Sequence, residues 1–141
     1  MFFITGMSTF TWVLLAYVSL HLLGPGEEGF KVLTQLTLES NVLTHGFGEG
    51  RFFYLKVKEV FLIVGALALF VEIAKAATAN SFGAAETLLS FVVAIVFIVM
   101  FFMVPWAQNP TFLLLGMMSL IDATGGFIIE LNAARRDINI A

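Results

Sequence analysis

Residues 60–79 read VFLIVGALALFVEIAKAATA, twenty residues in which only Glu72 and Lys75 are charged. A helix crossing the hydrocarbon core of a bilayer needs roughly 20 apolar residues, so this stretch reads as a transmembrane span. Three further windows of similar length lie at about 3–23, 87–105 and 111–131, and the four together take up 81 of 141 residues. In lipid every backbone donor and acceptor must be satisfied within its own segment, which leaves the helix as the only open-chain solution. The expected architecture is all-α, a bundle of four transmembrane helices forming a single membrane domain over 1–141.

The composition agrees. Hydrophobic residues make up 60% of the chain, charged residues 12%, and the mean hydropathy is +0.98, whereas a soluble domain carries roughly 25% charged residues. The absence of Cys removes disulfide frameworks, thiolate metal sites and cysteine nucleophiles together. A net charge of −3 and a pI near 5.2 argue against nucleic acid as a partner. Two His residues are too few for most histidine metal cages. No metal and no cofactor is expected.

The connections follow from local chemistry. The first window lacks a basic n-region and is long for a signal-peptide core, so it reads as retained. Gly24-Pro25-Gly26 stops the first helix. Asn80-Ser81-Phe82-Gly83 reads as a tight hairpin between the second and third spans. Two prolines, Pro105 and Pro110, bracket the third connection and bring Trp106 to the headgroup level. The only long connection, 24–59, is too short for a domain. Within it Phe30, Leu33, Leu36 and Leu43 suit one face of an interfacial helix, while Leu36-Thr37-Leu38 alternates like a strand. Gly46-Phe47-Gly48-Glu49-Gly50 breaks the segment, and Phe52-Phe53-Tyr54 returns it to the interface. Lys and Arg near the span ends number four on this side and two or three on the other, so the positive-inside rule assigns no orientation.

Of 17 formal charges, four fall inside the spans: Glu72 and Lys75 in the second, Asp122 and Glu130 in the fourth. Charged side chains at mid-bilayer cost about 2.5–3.5 kcal/mol each on insertion scales, so they face protein or water and have partners. Glu72 lies 12 residues past Val60 and Asp122 lies 11 past Thr111; at about 1.5 Å per residue the two share a depth to within roughly 2 Å. Lys75 can pair with Glu72 at i,i+3 or reach Asp122 on the neighbouring helix. Gly65, Ala68, Glu72, Lys75, Ala76 and Ala79 share an arc of about 100°, and Gly116, Ser119, Asp122, Gly126, Glu130 and Ala133 one of about 120°. Such stripes suit each other or a partner subunit, since small residues permit close approach and polar ones add hydrogen bonds. The first span has a milder stripe of Thr5, Thr9, Trp12, Ala16 and Ser19. The third, Val- and Phe-rich all round, is expected to meet lipid.

Three readings of these residues compete. In the first, the intramembrane polar cluster of Glu72, Lys75, Ser119, Asp122, Gly126 and Glu130 is an assembly device that fixes helix register or docks another subunit. In the second, Glu72 and Asp122 carry protons or ions along a wet path; Gly125-Gly126 could then bend the fourth helix. In the third, His21 ligates a haem or pigment metal, although Tyr17 one turn earlier crowds a macrocycle. No spacing of nucleophile, base and orienting group suggests an enzyme, and Gly46-x-Gly48-x-Gly50 lacks the surroundings of a phosphate loop.

Val60-Phe61-Leu62 running to Phe70-Val71-Glu72-Ile73-Ala74-Lys75-Ala76, then Val104-Pro105-Trp106-Ala107, then Leu120-Ile121-Asp122-Ala123-Thr124-Gly125-Gly126-Phe127 and Ala134-Arg135-Arg136-Asp137 form a pattern over some 80 residues. It resembles small four-span inner-membrane proteins of proteobacteria that carry no assigned activity. The resemblance implies a bacterial inner-membrane location and supplies no catalytic residue. The expectation is a small non-enzymatic subunit that contacts lipid and packs with other membrane subunits or with itself through the stripes on its second and fourth spans.

Overall fold

Asn109-Pro110 begins the longest element of the chain, and the reason is local. The Asn109 side-chain oxygen accepts the Phe112 N–H at 3.0 Å, and its backbone oxygen accepts that of Leu113 at 3.1 Å. Asn at the cap followed by Pro in the first helical position is a strong start signal. The computed structural model describes residues 8–23, 37–78 and 83–140. Among them, α1 is Thr9–Leu23, β1 Asn41–Gly46, β2 Phe52–Lys56, α2 Val57–Thr78, α3 Ala84–Met103 and α4 Pro110–Ile140, with a 3₁₀ turn at Pro105–Ala107 between α3 and α4.

Among the described residues three helices are long and apolar enough to cross a membrane: α2 with 22 residues, α3 with 20, and the 27-residue segment Pro110–Arg136 of α4. Their lengths, about 30–40 Å at 1.5 Å per residue, match the hydrocarbon thickness. The expected first span differs. Helix α1 has 15 residues, about 22 Å, because the helix starts where Ser8 caps it: the Ser8 hydroxyl accepts the Phe10 N–H at 3.3 Å and the Ser8 carbonyl accepts that of Thr11 at 2.9 Å. The remainder of the window expected at 3–23, the Gly24-Pro25-Gly26 stop, the apolar positions 30, 33 and 36, and the turn at 80–82 lie outside the described residues.

The connection also departs from an all-α expectation. Residues 41–46 and 52–56 form an antiparallel hairpin in which His45 pairs with Phe53 and Gly46 with Phe52. Its strands carry the β-branched and aromatic residues that favour a pleated ribbon. The loop needs left-handed backbone, and Gly48 and Gly50 supply it at φ 82° and 75°. The strand signal thus lay a few residues beyond Leu36-Thr37-Leu38. Glu59, three residues into α2, accepts the Lys56 N–H and so caps that helix. The Val57 and Lys58 amides donate back to Ser40 and Leu38 carbonyls at 3.0 and 3.1 Å, which ties the hairpin to the start of α2.

Helix α4 is the centre of the bundle, with α2 and α3 packed along it and α1 laid across α2. At Gly65 the approach of α2 to α4 is close enough that a Cβ would stand 2.6 Å from Leu115 Cδ2 and 3.0 Å from Met118 Sδ. The apolar core, including Phe10, Val13, Tyr17, Phe97, Phe112 and Leu115, fills the half of the bundle nearest Asn109. Helix α3 meets lipid on one side only. It turns Leu88, Val92, Ile95, Val99 and Phe102 outward while burying Thr87, Ala94 and Phe97 against the bundle.

Two outcomes follow from this packing. Gly65→Val forces an extra branch against the fully buried Leu115 and is expected to cost about 1–3 kcal/mol, read as a lower unfolding midpoint in mild detergent. Near the hairpin, the exposed Glu39 carboxylate accepts both the Lys56 and Lys58 ammoniums, at 2.7 and 2.6 Å, and the hydrogen bond from Lys56 and then that from Lys58 hold its pKa down from 4.5 to about 2. The folded pKa is depressed, so this tie is fully present above pH 4.5 and is lost as the pH falls through about 2. Acidification should therefore lower the protection factors of the Val57 and Lys58 amides, taken relative to the intrinsic exchange rate at each pH; in Glu39→Gln that acid-dependent loss of protection should vanish, with little change in global stability because exposed ion pairs contribute little.

Candidate functional site

The site is built where α1 begins. An isolated helix start leaves its first amides without partners, and in an apolar interior each such group costs free energy. Here the Thr9 N–H donates to Glu72 Oε1 at 2.6 Å, and the Thr9 hydroxyl donates to the same oxygen. The Ser8 hydroxyl donates to Asp122 Oδ2 at 3.2 Å. Two adjacent residues of α1 thus hold one carboxylate from α2 and one from α4. The positive end of the α1 dipole faces both carboxylates. On the other side of Glu72, Lys75 Nζ lies 3.2 Å from Oε2. Ser90 of α3 adds a further hydroxyl to the cavity that Asp122 lines.

Glu72 and Asp122 are 8% and 5% exposed, so both sit inside the bundle. Below them, toward the ends of α2 and α3 at Thr78 and Gly83, lies a cavity of about 260 Å³, which has room for several waters. Its walls carry four carboxylates, from Glu72, Glu86, Asp122 and Glu130, together with Ser90, Thr87, Thr78 and the Lys75 ammonium. Six residues separate Thr78 from Glu72, a descent of about 9 Å along the helix. Ala76, Ala123 and Gly126 also line the cavity. A Cβ at Gly126 or Gly125 would meet nothing within 4 Å. Helices α2 and α4 are therefore tight at Gly65 and open at Gly126: the small residues of the lower stripe make room instead of a contact. The Gly125-Gly126 pair produces no break, since α4 is continuous through it.

Above the carboxylates the polar route narrows. Ser119, one turn from Asp122, is fully buried, and among the described residues its hydroxyl has no hydrogen-bond partner. Beyond it the apolar core closes the bundle as far as Tyr17 and Asn109, whose side chains bond to each other: Asn109 Nδ2 donates to the Tyr17 hydroxyl at 2.8 Å. Glu130 Oε2, at the cavity mouth, is likewise a buried oxygen without a hydrogen-bond partner among the described residues.

The structure thus brings Glu72, Lys75, Asp122 and Glu130 to one cavity, with Gly126 on its wall and Ser119 just beyond its floor. It does not bring His21 there. That ring stacks on Tyr17 and Trp106, with centroids 4.7 and 4.6 Å away, and its Nδ1 is bonded to the Tyr17 carbonyl at 3.0 Å. His45 is exposed on β1. Of the milder first-span stripe, Trp12, Ala16 and Ser19 face outward, while Thr9 reaches the site and residue 5 lies outside the described residues. Thr9 belongs to the polar stripe read on the first span, whereas three contributors were not singled out as site residues: Ser8, Glu86 and Ser90. A Ser-Thr pair before an apolar run is a helix-start signal, and it would have flagged Ser8. Glu86 and Ser90, four apart, share one face of α3.

Compared with known protein families, characterised proteins and solved structures, the chain matches none.

Removing the acceptor of α1's first amide tests this arrangement. Glu72→Leu should weaken the start of α1 by on the order of 1–2 kcal/mol. Hydrogen exchange over residues 9–13 should accelerate several-fold or more, while exchange at the Asn109 end of α4 stays unchanged.

Proposed function

We propose that this chain is a small non-enzymatic membrane bundle that takes up protons from one face of the membrane and delivers them to the Glu72–Asp122 pair. One observation carries the reading: a polar cavity runs from the ends of α2 and α3 to two buried carboxylates, with hydroxyl groups along its wall. Carboxyls reached by water at this depth are the usual stations of intramembrane proton transfer. Glu130 and Glu86 stand at the mouth, Ser90 lies beside Asp122, and Ser119 is the next hydroxyl inward. The apolar layer from Leu115 to Phe112 seals the far side, so transfer across the full membrane requires that layer to open. The resemblance of residues from 57 onward supports a bacterial inner membrane as the location.

A second reading is that of an accessory subunit. Gly65, Ala68, Glu72, Ser119 and Asp122 of the polar and small-residue faces of α2 and α4 are buried within the bundle, so a partner would meet some other surface. The hairpin favours this reading. It is two strands wide, with Phe47, Phe52, Phe53 and Tyr54 exposed, and two-stranded ribbons rarely stand alone.

Flux separates the two. Purified protein in liposomes containing a pH-sensitive dye should dissipate an imposed pH gradient, and Asp122→Asn or Glu72→Gln should reduce that rate at least tenfold without loss of folded protein. Proton flux absent from well-folded wild type would overturn the proton reading and leave the subunit.

A further inference from the structure

An inlet lined by four carboxylates attracts every small cation, because a concave negative surface concentrates positive ions. Proton uptake at Glu72 and Asp122 therefore needs something that turns alkali-metal ions away. Among the described residues lining the cavity, one side chain is cationic: Lys75. We propose that Lys75 is a tethered counter-cation that makes the inlet selective for protons over alkali-metal cations. The inference rests on the proton reading above and names the residue that gives it specificity.

The geometry supports this. Lys75 lines the cavity together with Glu72, and its Nζ lies 3.2 Å from Glu72 Oε2, while Oε1 is taken by the Thr9 N–H and hydroxyl. Both Glu72 oxygens are then engaged, and an entering metal ion finds an ammonium where its ligand would be. Protons need no vacant oxygen pair, since they pass between waters, hydroxyls and carboxyls one hydrogen bond at a time. The Lys75 side chain is 45% exposed, so the ammonium is not packed away from incoming ions.

The decisive measurement is the reversal potential of the purified full chain in planar bilayers, under a pH gradient with and without an opposing sodium gradient. Wild type should follow the pH gradient alone. Lys75→Met should admit sodium, with at least a tenfold rise in the ratio of sodium to proton permeability, and Lys75→Arg should restore selectivity. Lys75→Gln keeps a hydrogen-bond donor for Glu72 without the charge; it should also admit sodium, and it serves if Lys75→Met folds poorly. Proton currents in a folded neutral variant that still ignore the sodium gradient would overturn the role of Lys75 while leaving the proton inlet standing. Sodium current already present in wild type would overturn it as well. Absence of any proton current in wild type would remove the inlet and this inference together.

Discussion

The structure depends on a mutual neutralisation at the start of α1. A helix that begins inside an apolar bundle exposes amides that lipid cannot satisfy, and carboxylates buried at the same depth need hydrogen-bond donors on the side turned away from the cavity. Each liability answers the other: Thr9 donates to Glu72, Ser8 donates to Asp122, and the positive end of the α1 dipole faces both. The middle of α1 is held by Tyr17 against Asn109, the residue that caps α4. A 15-residue helix, too short to cross the membrane by itself, is thereby fixed at its start and at its middle against α2 and α4.

That arrangement makes the two halves of the bundle unlike. With α1 in place, one half packs as a dry core of Phe10, Phe97, Phe112 and Leu115, tightened where Gly65 lets α2 come against α4. The other half keeps a cavity because Ala76, Ala123 and Gly126 leave the space beside the carboxylates unfilled. Polar groups are met from one side by protein and from the other by a volume with room for water. Asymmetry of this kind is what the proposed proton inlet requires, and the proposed selectivity rests on Lys75, whose side chain lines that volume.

The hairpin belongs to the same end of the molecule as Asn109 and Trp106, since it leads directly into α2. Its aromatic residues extend the apolar surface beyond the helices, and its attachment through Ser40, Leu38 and Glu39 fixes it to the first turn of α2. Trp106, His21 and Tyr17 form a ring cluster at the neighbouring helix ends. This side of the bundle is closed and aromatic, whereas the Thr78–Gly83 side is open and acidic.

Sequence alone determined the spans of α2, α3 and α4, the turn at Pro105–Pro110, and the shared depth of Glu72 and Asp122. The physical reason is that bilayer thickness and helical rise turn residue counts directly into position. It also marked Lys75 and Glu130 as residues needing partners, because a charge in an apolar run demands one wherever the chain goes. Periodicity assigns faces but not what fills them, so the same stripe of small residues reads as a close contact at Gly65 and as an empty wall at Gly126. Only the tertiary structure decided between them, through the placement of a third and fourth helix. The meeting of Ser8 and Thr9 with two carboxylates more than sixty residues away was beyond any local signal, since hydrogen bonds across a bundle follow from how helices dock and leave no period in the chain.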